Sequence, residues 1–234
     1  MPRWQMRRIA HEDHTYYGHA AFLVEARGGT RLILDPYLSG GLEGSIGYDP
    51  ITDEADCVIA SHDHEDHAAT YTIAGQPLIL LQPSWATVGE VEIAGIRVFH
   101  DGSGGSERGS NTVVVLDDGE IRLTHLGDLG HELDAESIKA VGSVDVLLVP
   151  VGGFYTVDAV SAAAVVEALS PAIVIPMHYK TDRIDFPIAP VSDFLARRTN
   201  VEYRDGSSLE LTREILPSVQ ATIVLELLLG RTTA

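Results

Sequence analysis

The chain has 234 residues, 45% of them hydrophobic, enough to bury a sizeable core. Its 16 Lys and Arg residues against 34 Asp and Glu leave a formal net charge of −18, a surface that repels nucleic acid and anionic membranes. The single cysteine, Cys57, excludes an intramolecular disulfide and fits the cytoplasm.

Residues 1–8 are basic with no apolar run behind them, which does not read as a secretory signal. His11 and His14, in the polar stretch that follows, read as surface residues. Residues 17–26 read as a strand, with a Gly28-Gly29 turn into a second at 31–35. The glycine-rich stretch 38–49 reads as a flexible loop outside the core. The run 57–60 is a short apolar strand whose cysteine should be buried and inert. Residues 78–81 read as another short buried strand, and 91–93 and 96–99 as a hairpin about Ala94-Gly95. A Gly/Ser loop spans 101–110, and the runs 111–116 and 121–125 flank Asp117-Asp118-Gly119, a strong hairpin signal.

The second half changes period. Residues 144–150 are a near-continuous apolar strand of the kind buried on both faces. The Ala-rich run 157–169 reads as a helix ahead of Pro171, 172–177 as the next buried strand, and 191–198 as a helix. In 220–228 the β-branched Thr222-Ile223-Val224 favours a strand, and the apolar run here is broken by Glu226 and too short to span a bilayer. No linker or internal repeat divides the chain, so residues 1–234 read as a single domain.

The densest chemistry lies in Ser61-His62-Asp63-His64-Glu65-Asp66-His67, directly after the strand at 57–60. Neutral histidines and carboxylates are good ligands for zinc-like divalent metals. On an extended backbone, positions 62, 64 and 66 point one way and His67 another. The loop can then offer His62 and His64 to one metal and Asp66 and His67 to a neighbour. A merely solvated acidic loop has no need of three histidines. His100, Asp128 and His178 each lie at or just past the end of an apolar run, and strand ends in an α/β sandwich can converge on one edge. Other chemistries find no support. Gly102-Ser103-Gly104-Gly105 does not make the five-residue nucleophile elbow, and Gly152-Gly153 has too few glycines for a dinucleotide loop.

The His-x-His-x-Asp-His string at 62–67 resembles the signature of the metallo-β-lactamase-fold hydrolases. Gly18-His19-Ala20-Ala21-Phe22, followed by Leu32-Ile33-Leu34-Asp35-Pro36-Tyr37, resembles the opening of that superfamily's small metal-dependent hydrolase branch, which also holds the ascorbate phosphate lactonases. His125-Leu126-Gly127-Asp128-Leu129-Gly130-His131 resembles the branch's bridging-aspartate motif, and Pro176-Met177-His178-Tyr179 its last-ligand motif. The matches run in the family's order from Tyr17 to Lys180.

The resemblance implies a four-layer αββα sandwich, two mixed sheets with external helices. It also implies two divalent metal ions, zinc foremost, although imidazole–carboxylate sites accept Mn, Fe, Ni or Co as well. His62, His64 and His100 would hold the first metal, Asp66, His67 and His178 the second, and Asp128 would bridge. His100 has a second reading, as a strand-end histidine bonded to a loop. His19, His125 and His131 are left over, as outer hydrogen-bonding partners of ligands or as structural residues. Asp35 reads equally as the acceptor for a ligating histidine or as an Asx-turn residue before Pro36. Tyr155 and Lys180 are the candidates for touching substrate.

The implied activity is hydrolysis of a small ester, lactone, amide or phosphoester by a hydroxide bridging the metals. Asp66 and Asp128 are the catalytic carboxylates in this reading, with Asp128 able to accept the proton as the bridge breaks. Metals, aspartates and hydroxide together leave a positive core that attracts a small, anionic substrate. Two rivals stay open: a nucleic-acid phosphodiesterase, against which the charge of −18 argues, and a non-catalytic metal-binding or sensor protein.

Overall fold

A computed structural model describes residues 12–226. One sheet has six strands in the spatial order β13 (Ser208–Leu211), β1 (Glu12–Gly18), β2 (Ala21–Glu25), β3 (Arg31–Leu34), β4 (Cys57–Ala60) and β5 (Leu78–Leu81). The other has eight: β12 (Val201–Arg204), β14 (Ala221–Leu225), β11 (Ile173–Met177), β10 (Val146–Pro150), β9 (Arg122–His125), β8 (Ser110–Asp117), β7 (Val91–Phe99) and β6 (Trp85–Val88).

Side chains on a strand alternate between faces, and here that alternation sorts the apolar residues into three cores. Phe22, Leu32, Leu34 and Ile59 from the first sheet meet Val146, Leu148, Ile173 and Ile175 from the second, so this core lies between the sheets. Their neighbours Leu147, Val149 and Val174 turn to the outer face of the eight-stranded sheet. Leu23, Ile33 and Val58 turn to the outer face of the six-stranded one. Each fully buried Leu, Ile or Phe contributes about 1.5–3 kcal/mol. The first outer layer comprises α2 (Ala135–Val141), α3 (Ala159–Leu169) and α4 (Val191–Leu195), which bury Val141, Val165, Leu169 and Phe194. The second is made of loops and the short turn α1 (Gly41–Gly44), with Tyr37, Ile46, Tyr48 and Phe186 over the sheet. The architecture is an αββα sandwich.

Strand direction places the site. β3 and β4 are parallel, and β9, β10 and β11 are parallel. β7 and β9 both run antiparallel to β8, hence parallel to each other. Their C-terminal ends open on one edge of the sandwich, where the Thr112 N–H bonds the Ser61 carbonyl across the sheets at 2.9 Å and the His178 N–H bonds the His19 carbonyl at 2.7 Å.

Several local expectations are corrected. The strand at 17–26 is broken, because β1 runs to Gly18 and the chain bends at His19-Ala20. The loop 38–49 is not outside the core: it buries Ile46 and Tyr48. β5 is the sheet's outer strand and exposed, Leu78 at 49% and Leu81 at 54%. The hairpin is β6–β7 around Gly89-Glu90, and β7 passes straight through Gly95. Gly95 marks close backbone approach, since a side chain there would collide with the Pro83 carbonyl. His14 is buried in β1, opposite Val24 and Leu209, not on the surface; His11 lies outside the described residues. The helix expected at 157–169 begins at Ala159, because Asp158 caps it by accepting the Val160 and Ser161 N–H groups. Among the described residues no helix is long and apolar enough to cross a membrane.

Candidate metal centre

His62 follows β4, His100 follows β7, Asp128 lies three residues past the end of β9, and His178 follows β11. The structure brings all of them together with His64, Asp66 and His67. His62, His64 and His100 form one donor group, and His19, Asp66, His67 and His178 a second, each with ligand atoms within 4.8 Å of one another. Asp128 stands between the groups. Its Oδ2 is 3.2 Å from His100 Nε2 and 3.3 Å from His178 Nε2, and its Oδ1 is 3.2 Å from His67 Nε2. The first group holds the three residues expected for one metal, the second adds His19 to the three expected for the other, and a third group, Asp35, His62 and His67, overlaps both. The loop is not extended: the N–H groups of His67 and Ala68 both bond the His64 carbonyl, and this turn swings Asp66 and His67 to the same side.

Three non-glycine residues here hold left-handed backbone: His19 at φ 54°, Asp35 at φ 44° and His178 at φ 53°. Such strain gathers at functional sites, where the surrounding structure enforces it. Gly127, at φ 54°, is a different case. A Cβ there would lie 2.6 Å from Ser61 Oγ and collide with Asn111, so glycine lets the chain carry Asp128 past the end of β4.

Hydrogen bonds set the tautomers. The buried Asp35 carboxylate accepts from Ser61 N–H (2.7 Å), Ser61 Oγ (2.6 Å) and His67 Nδ1 (2.9 Å). A neutral His67 therefore turns an Nε2 lone pair to the site. Ser61 Oγ, having donated to Asp35, accepts from His62 Nδ1 at 2.9 Å, which leaves His62 Nε2 as a lone pair too. His125 is a structural peg: its Nδ1 accepts the Gly127 N–H at 3.0 Å, so its Nε2 donates to the Ala20 carbonyl at 2.9 Å. His131 bonds the Phe99 N–H through Nε2 and Glu132 O through Nδ1, so it braces the end of β7 and is in neither donor group. His19 Nε2 bonds Asp66 Oδ2 at 3.0 Å.

Burial favours neutral groups, and it holds His62 down to about 3 and His19 to about 4, helped by neighbouring His67 and His178 respectively. The aspartates resist burial. Asp66 is held below the usual carboxylate range by His67 and His19, and Asp128 by His178 and His67. His67, although buried, is pushed well above its ordinary value by Asp128 and Asp66. The cluster thus demands positive charge. The Nε2 atoms of His62, His67 and His178 and the Oδ1 of Asp128 are buried without a hydrogen-bond partner, which native interiors rarely tolerate. Divalent metal ions among these atoms would answer both demands, so the donor set fits them.

The donors open into a cleft of about 460 Å³ whose lining includes His64, Asp66, His100 and Asp128. Tyr155 and Phe186 form an apolar wall, their rings 5.8 Å apart. Lys180 is used elsewhere: its Nζ donates to the carbonyls of Ile184 (2.6 Å) and Phe186 (3.2 Å), tying down the loop that carries Phe186. Sequence reasoning missed Ser61 and the buried Asn111, which accepts the Asp128 N–H and donates to the Leu126 carbonyl. It also missed Arg108, which lines the cleft from the Gly/Ser loop.

Comparison with known proteins agrees with this construction. A Beta-lactamase superfamily domain model matches residues 14–178. A UPF0173 metal-dependent hydrolase of Carboxydothermus hydrogenoformans is 32% identical over 199 residues, covering 71% of this chain and 84% of the relative. One of Pyrococcus furiosus is 33% identical over 194 residues, with the same coverage. A Thermotoga maritima protein assigned as a Zn-dependent hydrolase of the metallo-beta-lactamase superfamily superposes with a TM-score of 0.76 at 36% identity, over 93% of this chain and 100% of its own. A metallo hydrolase of Ignicoccus hospitalis shares the fold, with a TM-score of 0.59 at 22% identity over 93% and 95% of the two chains. On this fold, this ligand cluster and these relatives, the chain belongs to the metallo-β-lactamase superfamily, among its metal-dependent hydrolases.

Proposed function

We propose that the enzyme hydrolyses a small ester, lactone, amide or phosphoester at a centre of two divalent metal ions, zinc foremost. The observation that carries this reading is that Asp128 lies 3.2 Å from His100 Nε2 of one donor group and within 3.3 Å of His67 and His178 of the other. His62, His64 and His100 would hold one ion, and Asp66, His67 and His178 the other, with His19 on Asp66. When bound, such a pair acidifies a shared water to a pKa near 7 and polarises the oxygen of the scissile group. Asp128 and Asp66, both facing the cleft, are the carboxylates placed to take up the proton. Asp35 orients His67 directly and His62 through Ser61, and the Tyr155–Phe186 wall keeps water from one side of the substrate.

An open cleft above the donors favours catalysis over a sealed structural site. Asp63 and Glu65 also line it, which disfavours nucleic acid. A single, buried free cysteine, Cys57, is compatible with the cytoplasm. The test is elemental analysis of the purified protein, followed by assay on lactone, thioester and phosphodiester substrates. Two metals per chain with turnover supports the proposal. One metal per chain overturns the dinuclear centre, and metal without any turnover leaves a sensor.

A further inference from the structure

Within the cleft, the guanidinium of Arg108 lies 5.7 Å from the centre of the Tyr155 ring. Its loop is pinned by one carboxylate. Asp101 accepts the backbone N–H groups of Ser103 (2.7 Å), Gly105 (2.9 Å), Glu107 (3.0 Å) and Arg108 (2.8 Å). Asp101 adjoins His100, so the position of Arg108 is locked to that of a candidate ligand. The loop is fixed through its backbone, and the side chain is left over: its ion pair is a loose one, 3.7 Å to the exposed Glu107. Glu65, the acidic neighbour across the cleft, is turned toward the Leu42 N–H at 3.4 Å.

A guanidinium over an aromatic face is weakly hydrated, and its planar fork matches a carboxylate with two parallel N–H···O bonds. One such cation amid Asp63, Glu65 and Asp66 balances one negative charge, not two. Tyr155, Phe186 and Leu42 supply apolar surface for a hydrocarbon body. We infer that Arg108 forms an anion subsite, and that the substrate carries one carboxylate remote from its scissile bond. This rests on the hydrolase reading above and narrows its substrate class.

The test uses metal-loaded protein and two esters of matched length, the mono-4-nitrophenyl ester of adipate and 4-nitrophenyl hexanoate. They differ by a carboxylate in place of a methyl group. The wild type should prefer the adipate ester in kcat/KM. In Arg108→Gln that preference should fall by about 10–100-fold, the worth of a charge-assisted hydrogen-bonded pair, with the change mainly in KM. Arg108→Lys, which keeps the charge but not the fork, should retain part of it. An unchanged preference in Arg108→Gln overturns the subsite. Should neither ester turn over, the hydrolase reading fails on esters while the subsite is still decided by calorimetry with adipate and hexanoate anions. Tighter adipate binding in the wild type that is equalised in Arg108→Gln supports it, and equal binding of the two anions by the wild type overturns it.

Discussion

Asp35 Oδ2 lies 2.9 Å from His67 Nδ1, and the same oxygen accepts the Ser61 hydroxyl at 2.6 Å. One buried carboxylate thus orients two candidate ligands, His67 directly and His62 through Ser61. In Asp35→Asn the amide NH2 group presents donors where an acceptor is required: at the Oδ2 position it forfeits the bonds from His67 and the Ser61 hydroxyl together, and at the Oδ1 position the bond from the Ser61 N–H. Metal affinity should drop by about 10–100-fold, with full stoichiometry recovered in excess metal. Titration against a competing chelator measures this, and an unshifted curve would remove Asp35 from the support of the site.

His100 is the donor whose role separates most cleanly by mutation. Its Nε2 is 3.2 Å from Asp128 Oδ2, and its ring centre is 4.8 Å from that of His62 and 5.0 Å from that of His64. His100→Ala should lose the metal shared with His62 and His64, while Asp66, His67 and His178 keep theirs. An outer hydrogen-bonding partner would instead cost about 10–100-fold in affinity with two metals still bound in excess. A merely structural histidine would cost only about 1–3 kcal/mol of stability. A metal titration of mutant beside wild type distinguishes the three.

The cluster was legible in the sequence at His62, His64, Asp66 and His67, because three histidines and an aspartate crowded into one short loop after a strand suit metal ligation, whereas His100, Asp35 and His19 also had simpler structural readings. The central strands were legible because they are buried on both faces, so β10 and β11 are apolar at every position. The peripheral strands were not. β12 and β13 stand at sheet edges and carry charges on an exposed face, as in Val201-Glu202-Tyr203-Arg204, and they exist through pairing with distant strands. β5 misled in the opposite sense, since Leu78-Ile79-Leu80-Leu81 looks buried and stands at the edge. Periodicity does not record which strand ends a sheet. Arg108 was hidden for another reason: its place depends on Asp101 folding the loop back, which composition does not reveal.

His125 carries the reading of a structural peg into a stability experiment. Its two ring nitrogens join the Ala20 carbonyl to the Gly127 N–H, fastening the β1–β2 bend to the loop that bears Asp128. His125→Leu fills the space and strands both backbone groups in the interior. The metal-free protein should lose about 2–4 kcal/mol in urea unfolding. Metal stoichiometry should be kept, because His125 donates no lone pair to the site. Loss of one metal with unchanged stability of the metal-free protein would show that it is a ligand.

His14 makes stability depend on pH in a way separable from the metal centre. Burial in β1 holds its imidazole down to about 4 from an ordinary 6.5, against the opposite pull of Asp118. The unfolded chain therefore takes up this proton first as the solution is acidified. The contribution of neutral His14 is fully present above about pH 6.5, and it is lost progressively as the pH falls toward 4. Between about pH 7 and pH 4.5 the loss should be roughly 2–3 kcal/mol. Its strand neighbours Val24 and Leu209 belong to the apolar core between the sheets, so an apolar ring is the natural replacement. His14→Phe should show a pH dependence shallower by that amount in urea unfolding of the metal-free protein. His19 and His62, also held low by burial, add acid sensitivity to both proteins and cancel in the comparison. Equal slopes in the two proteins would mean that His14 takes up its proton as readily in the fold as out of it.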